Sequence, residues 1–107
     1  MNWHITFYNR KLKLQVLAFP EGILANFLHI AELVEEFGPK IGMPFTRSIG
    51  SGLFEIRAKG KEGIARLLFC NLTRKELVIL NAFVKKTKKT PRKELALARK
   101  RMKEVLK

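Results

Sequence analysis

Three apolar segments follow one another between residues 53 and 84, and only a few turn residues separate them. The first, 53–59, alternates apolar and charged residues, which is the pattern of a half-buried strand. The second, 64–72, is almost entirely apolar, as expected of a central strand, and the third is 77–84. Turns this short join antiparallel neighbours, because a parallel crossover needs a dozen or more residues. The sequence therefore predicts an antiparallel meander.

Helical patterns flank this meander on both sides. Apolar residues recur at helical spacing from Glu21 to Phe37, and Gly38–Pro39 is a strong stop signal. After the meander, Thr90 is a predicted N-cap and Pro91 a predicted first helical residue. The last helix has an apolar stripe and otherwise basic faces; the stripe consists of Leu95, Ala98, Met102 and Val105.

The remaining segments complete the predicted fold. Residues 3–8 alternate as a strand does, whereas 11–19 fits either a short helix or a second strand. The glycine- and proline-rich segment 38–52 is predicted to be loop. A chain of 107 residues suits one domain, here 1–107. We expect an α+β fold, a small mostly antiparallel sheet with helices packed on one face.

The net positive charge lies entirely in the second half of the chain. Residues 1–55 hold five cations and five glutamates, whereas 56–107 holds 17 cations and four glutamates, so that the whole formal charge of +13 lies there. Such asymmetry favours a polyanion, or a partner that supplies acid, as the binding partner. The alternative is a solvated basic surface without a partner.

Several classes of protein are disfavoured. The single cysteine, Cys70, excludes a disulfide within the chain, and two histidines, His4 and His29, make no zinc-ligand cluster. Asp is absent and no glutamate pair is suitably spaced, which disfavours two-metal chemistry. No segment has the pattern of a membrane span or signal peptide. We therefore expect a cytoplasmic protein without a metal or other cofactor.

Arg66 is the most informative candidate residue, because it interrupts an otherwise apolar strand. A guanidinium there needs an anionic partner or access to solvent, so a salt bridge to Glu55 and a phosphate-binding role both fit. Arg57 and Lys59 share one face of the preceding strand. If the strands pair in order, these cations converge with Lys85 or Lys86 at one edge of the sheet. An ordinary solvated sheet face is the competing interpretation.

Two long segments, GLFEIRAKGKEGIARLLFC (52–70) and LVILNAFVKKTKKTPRKELALARKRMKE (77–104), together with 18–52, resemble the phage-derived, HigB-like branch of the RelE/ParE toxin superfamily. The most specific pieces are GLFEIR, the strand arginine Arg66, and AFVKKT followed by Thr90-Pro91. Asn81 stands where similar proteins often have His, so no catalytic role is carried over to that position.

This resemblance implies the toxin of a type II toxin–antitoxin pair, which cuts mRNA, usually in the ribosomal A site and without a metal. The 2′-hydroxyl attacks the adjacent phosphate and leaves a cyclic phosphate and a free 5′-hydroxyl. Arg57 and Arg66 are then candidates for stabilising the phosphorane, and a lysine with a lowered pKa for moving the proton: Lys59, Lys85 or Lys86. Cations predicted to contact RNA or the ribosome are Lys61, Lys88, Lys89, Arg92 and Lys93.

Two other functions remain open at this stage. One is a ParE-like toxin that inhibits DNA gyrase by binding, and the other is an RNA- or ribosome-binding module without activity. The resemblance also implies a helix-turn-helix antitoxin. Its acidic segment should meet residues 56–107 and should bury apolar surface as well, because exposed ion pairs contribute only about 0–1 kcal/mol each.

Overall fold

The computed structural model describes residues 2–85 and 91–107. The five strands form one sheet in the order β1-β5-β4-β3-β2, in which β1 runs parallel to β5 and the other pairs are antiparallel. The predicted α+β class with a mostly antiparallel sheet is confirmed. In chain order the elements are β1 (His4–Phe7), α1 (Arg10–Leu17), α2 (Glu21–Phe37), β2 (Thr46–Gly50), β3 (Leu53–Gly60), β4 (Gly63–Thr73), β5 (Glu76–Lys85) and α3 (Arg92–Val105).

The meander and the long helix were predicted correctly. Strands β3, β4 and β5 are consecutive antiparallel neighbours, and Gly60 pairs with Gly63 across the first tight turn. Gly63 has a φ of +139°, a conformation that side chains other than glycine rarely adopt. Helix α2 spans Glu21–Phe37, as its periodicity predicts. The spacing of apolar residues is therefore enough to predict the three central strands and helix α2.

The segment predicted to be loop, 38–52, contains a short 3-10 turn at Pro39–Ile41 and the edge strand β2. The prediction was wrong for β2 because its stability is tertiary: it pairs with β3, and Thr46 ties it to the preceding turn. The Thr46 hydroxyl donates to the carbonyl oxygen of Pro39 at 2.8 Å and accepts from the N–H of Gly42 at 3.0 Å. A five-residue strand among glycines and prolines has no local signal strong enough to reveal it.

Helices lie on both faces of the sheet, so the prediction of helices on one face was wrong. Helices α1 and α2 cover one face through residues such as Val16 and Ile30, which share a core with Leu67 of β4. Helix α3 covers the other face, where Ala98 packs in a second core with Leu68. The physical reason is β4 itself, because a strand that is apolar on both sides must be covered on both sides.

The first and last helices differ in detail from the predictions. The ambiguous segment 11–19 is helical: α1 begins after Asn9, whose side-chain oxygen accepts the N–H of Leu12 at 2.8 Å. Helix α3 begins at Arg92 with Pro91 in the N-cap position, one residue later than predicted, and Thr90 lies outside the described residues.

Among the helices described, none is long and apolar enough to cross a membrane alone; α1 and α2 qualify together only as a pair bent by 119°.

Candidate active site

A buried carboxylate organises the charged part of the sheet. Glu55 of β3 is 0% exposed, and its Oε1 accepts Arg66 Nη1 of β4 at 2.6 Å. The same oxygen lies 3.2 Å from Nη2 of Arg47, which is on the edge strand β2. Glu55 therefore holds arginines from both neighbouring strands. The salt bridge between Arg66 and Glu55, one of the two predictions for Arg66, is confirmed.

Two further cations complete this cluster. Arg57 follows Glu55 on the same face of β3 and pairs directly across the strands with Arg66. Lys85, near the end of β5, is electrostatically coupled to the other four side chains. Partial burial lowers the pKa of the Lys85 ammonium, and the charges of Arg66, Arg57 and Arg47 lower it further. We call this set the β-face cluster: Arg47, Glu55, Arg57, Arg66 and Lys85.

The β-face cluster carries more positive charge than its own carboxylate can balance. It contains four cations and one carboxylate, and like charges directly opposite each other across two strands are unfavourable. The Nε atoms of Arg57 and Arg66 and the Oε2 of Glu55 are buried without a hydrogen-bond partner among the described residues. Buried polar groups in this state are uncommon and cost about 1–3 kcal/mol each. The arrangement is therefore suited to binding an anion rather than to stabilising the sheet.

Of the five predicted catalytic residues, the structure brings three into the cluster: Arg57, Arg66 and Lys85. They meet on one face, across the three central strands, rather than at an edge of the sheet. Lys59 lies two residues beyond Arg57 on the same strand, and its side chain is exposed. Lys86 lies outside the described residues.

Five further cations were predicted to contact RNA, and three of them lie in the part of the chain that the structure describes. Lys61 is exposed in the turn between β3 and β4, and Arg92 and Lys93 are exposed at the start of α3. Lys88 and Lys89 lie outside the described residues. The structure therefore gives positions for three of these five cations, and their contact with RNA stays a prediction.

Asn81, the position where similar proteins often have His, is buried and hydrogen-bonded between β5 and α3. The side chain is 5% exposed, and its Nδ2 donates to the backbone oxygen of Glu94 at 3.0 Å and to the Oε1 of Glu94 at 2.9 Å. Its Oδ1 accepts the N–H of Ala82 at 2.9 Å. The amide thus ties the first turn of α3 to β5, and it is engaged on both its oxygen and its nitrogen.

Sequence reasoning missed Arg47 altogether, because Arg47 lies in the segment interpreted as loop. The available signal was weak: a strand can be recognised around Thr46–Gly50 only from its pairing with β3. The sequence predicts Glu55 as a partner for Arg66, but it does not predict that Glu55 binds arginines from both neighbouring strands. Its position in the alternating pattern of β3, between the apolar Phe54 and Ile56, was the signal that it points to the same face as Arg57.

Comparison with known proteins gives one family. The model of the phage derived protein Gp49-like family (DUF891) matches residues 15–103, which include the whole β-face cluster. That family is associated with the toxins of toxin–antitoxin systems. A search of curated proteins found no match.

Proposed function

Because the chain belongs to the phage-derived Gp49-like protein family, we propose that it is a HigB-like toxin of a type II toxin–antitoxin pair that cleaves mRNA on the ribosome. The observation that carries the proposal is the β-face cluster, in which four cations surround one buried carboxylate. Positive charge that is fixed before the substrate arrives stabilises the negative charge that develops during phosphodiester cleavage.

The arginines take the electrostatic part of the reaction. Glu55 holds Arg66 in place at 2.6 Å, so its guanidinium does not have to be ordered when the substrate binds. Arg57 lies directly across from Arg66 and is only partly buried. In the proposed complex both side chains face the scissile phosphate and stabilise the charge that develops on its oxygens. Arginine remains protonated, so neither residue serves as the base.

Lys85 takes the proton. Of the candidate lysines that the structure describes, Lys85 is partly buried among cations that lower its pKa, whereas Lys59 is exposed. Neutral Lys85 accepts the proton of the 2′-hydroxyl, and the 2′-oxygen forms a bond to phosphorus. The bond from phosphorus to the 5′-oxygen breaks, and that oxygen takes a proton from water. The products are a cyclic phosphate and a free 5′-hydroxyl.

The scheme needs no metal ion and no cofactor. Within residues 2–85 and 91–107, no group of three or more His, Cys, Asp or Glu side chains is placed to hold a metal. The 2′-hydroxyl supplies the nucleophile, and the cluster supplies the positive charge. Cleavage by the purified protein should therefore continue in a chelator, provided that the ribosome is kept intact by other means.

The direct test uses mRNA with a single 2′-deoxynucleotide at the cleavage position. We expect primer extension to show cleavage of the all-RNA message and none at the substituted position, because the nucleophile is missing. Analysis of the product ends should find a cyclic phosphate. Cleavage that continues at the 2′-deoxy position would exclude this chemistry. Intact transcripts together with gyrase-linked DNA breaks would favour a ParE-like toxin instead.

The partner in this proposal is a helix-turn-helix antitoxin, and the cellular target is the translating ribosome in the cytoplasm. We expect a chain with a formal net charge of +13 to bind RNA without selectivity unless a partner occupies it. An antitoxin that contributes both acid and apolar surface should stay bound as salt rises, whereas non-specific RNA binding should fall steeply. Affinities for both ligands across a salt series test this expectation.

A further inference from the structure

An apolar groove lies along the opposite end of the sheet from β2, between the edge strand β1 and helix α1. Its volume is about 710 Å³, within the range of ligand sites in proteins. Because β1 is the outermost of the described strands, no other described strand covers its outer edge. The lining residues are Ile5, Thr6 and Phe7 of β1, Asn9, and Arg10, Lys13, Leu14 and Leu17 of α1.

Helix α1 has two apolar faces, although the core needs only one. Leu12 and Val16 are 2% and 0% exposed and pack with α2 against the sheet. Leu14 and Leu17 are 53% and 45% exposed and line the groove instead. Arg10, Lys13, Leu14 and Leu17 follow the spacing i, i+3, i+4, i+7, so they form one continuous helical face.

The charges of the groove select its occupant. Arg10 and Lys13 are the charged residues of its lining, and Lys11 follows on the same helix, which contains no acid. A second copy of this chain would bring a further +13, and like charges would oppose its association. Nucleic acid fits poorly because most of the lining is apolar. A partner segment with apolar and acidic side chains satisfies both properties.

The outer edge of β1 favours a helix over an added strand. The N–H of Ile5 is already taken by Oε2 of Glu35 on α2, at 3.2 Å. With only four residues in β1, this contact leaves little edge for strand addition. A helix needs no backbone hydrogen bonds from the groove and presents apolar anchors at i, i+3/i+4 and i+7.

We propose that the groove between α1 and β1 docks an acidic amphipathic helix of a partner protein. The apolar stripe of that helix covers Leu14 and Leu17, and its acidic flank meets Arg10 and Lys13. This surface belongs to the first half of the chain and to another part of the sheet than the β-face cluster. Docking there is thus separate from phosphate binding, and the inference goes beyond the proposed function.

The test measures binding of a synthetic helix-forming peptide of about 18 residues, long enough to be helical, with leucines at helical spacing and glutamates beside them. The salt concentration is about 0.3 M, so that exposed ion pairs are weakened. The double variant Leu14→Gln/Leu17→Gln should lose binding at least about tenfold, since it removes apolar contact without changing charge. The matched control is Leu28→Gln/Leu106→Gln, two other leucines that are 47% and 50% exposed; it should bind as the unsubstituted protein does.

Further results support or overturn the proposal. A peptide with lysine in place of glutamate should not bind, and amide exchange should slow in α1 and β1 when the glutamate peptide is present. Equal affinity of the two double variants, or no binding by any of them, would overturn the proposal. A dimer in the unsubstituted protein that Leu14→Gln/Leu17→Gln converts to a monomer would also overturn it, because a second copy would then be the occupant.

Discussion

The two faces of the sheet treat charge in opposite ways. In the part of the chain described, the face under α1 and α2 buries no charged side chain: its core is apolar, with Ile56 and Leu67 among its members, and Thr46 is a buried polar residue beside Ile56. The face that carries α3 has an apolar core over one part and buries Glu55 and Arg66 in another. A buried ion pair is seldom more stabilising than apolar residues of similar size. The buried charges of the second face therefore contribute less to the free energy of unfolding than an apolar core would. One face thus holds the larger apolar core of the fold, and the other also holds the charged β-face cluster.

The largest contrast is expected at Lys85. Replacement by Met removes the proposed base, so cleavage should fall about 10²- to 10⁴-fold while the fold is kept. The neutral amine is the active form, so the rate should rise with pH. It should level off at a lower pH than an ordinary lysine gives, because the pKa of Lys85 is lowered. Lys85→Arg should abolish this rise. Single-turnover cleavage measured across pH tests both expectations.

Arg47 offers a control for the same pH profile. Its positive charge helps to lower the pKa of Lys85, so Arg47→Gln should move the rise in rate to higher pH. A profile that does not respond to Arg47→Gln, or one that Lys85→Arg leaves intact, would contradict the assignment of Lys85 as the base.

The next effect is on stability, and it compares neighbours that point to opposite faces. Glu55→Gln leaves Arg66 buried beside a neutral amide, which should lower the free energy of unfolding by about 3–5 kcal/mol. Ile56→Val, one residue along the strand, should cost only about 0.5–1.5 kcal/mol. Urea unfolding of both variants measures the difference. If Glu55→Gln were as stable as the unsubstituted protein, the cluster would not be organised by Glu55.

A third comparison stays within one face of β3. Arg57→Ala should slow cleavage about 10²- to 10³-fold, the usual loss for one donor that stabilises a transition state. Lys59→Ala, two residues further and exposed, should change it by less than about tenfold. The readout is kcat for both variants, with circular dichroism to confirm the fold. Equal losses would mean that the whole basic surface acts through general charge.

The smallest effect is expected at Glu62, on the turn that joins β3 to β4. Its Oε2 accepts the N–H of Gly22 at 2.9 Å at the start of α2, and this hydrogen bond lowers the pKa of Glu62. A lowered folded-state pKa stabilises the protein above the ordinary pKa, and this contribution is lost as the pH falls through the folded-state value. Glu62→Gln should therefore lower Tm slightly at neutral pH.

The difference between Glu62→Gln and the unsubstituted protein should disappear on acidification. Thermal unfolding followed at neutral pH and at pH values below the lowered folded-state pKa of Glu62 gives this comparison. A Tm difference that persisted in acid would show that the Glu62 carboxylate does not cap α2. Cleavage by this variant at neutral pH should be unchanged, because Glu62 is not part of the β-face cluster.

Local pattern was enough to predict the central strands and α2, where period-two and helical spacing are strong. It did not decide which face α3 covers, because the stripe of Leu95, Ala98 and Met102 fits either side of a sheet. The apolar run of β4 contained that information, since Leu67 and Leu68 point to opposite faces and are both fully buried. The face that α3 covers therefore follows from the burial of β4 on both sides, and the sequence of α3 alone does not reveal it.

The part of the candidate site that local pattern reveals was predictable, and the part that depends on tertiary pairing was not. Arg66 is conspicuous in an apolar strand, and the antiparallel register makes Glu55 its diagonal neighbour on the same face of β3. Arg47 was not predictable, because its contact with Glu55 depends on a strand that exists only through tertiary pairing. The lowered pKa of Lys85 likewise depends on cations from three other strands, which no linear pattern brings together.

The position of β5 has a consequence for how this protein is made. Strand β5 comes late in the chain, but it lies inside the sheet, between β1, which it pairs in parallel, and β4. During synthesis β1 therefore has no strand to pair with until residues 76–85 have left the ribosome. Such long-range pairing makes folding a late and concerted event. A chain that has not yet reached residue 85 lacks Lys85 and a complete β5, so we expect it to lack the proposed cleavage activity.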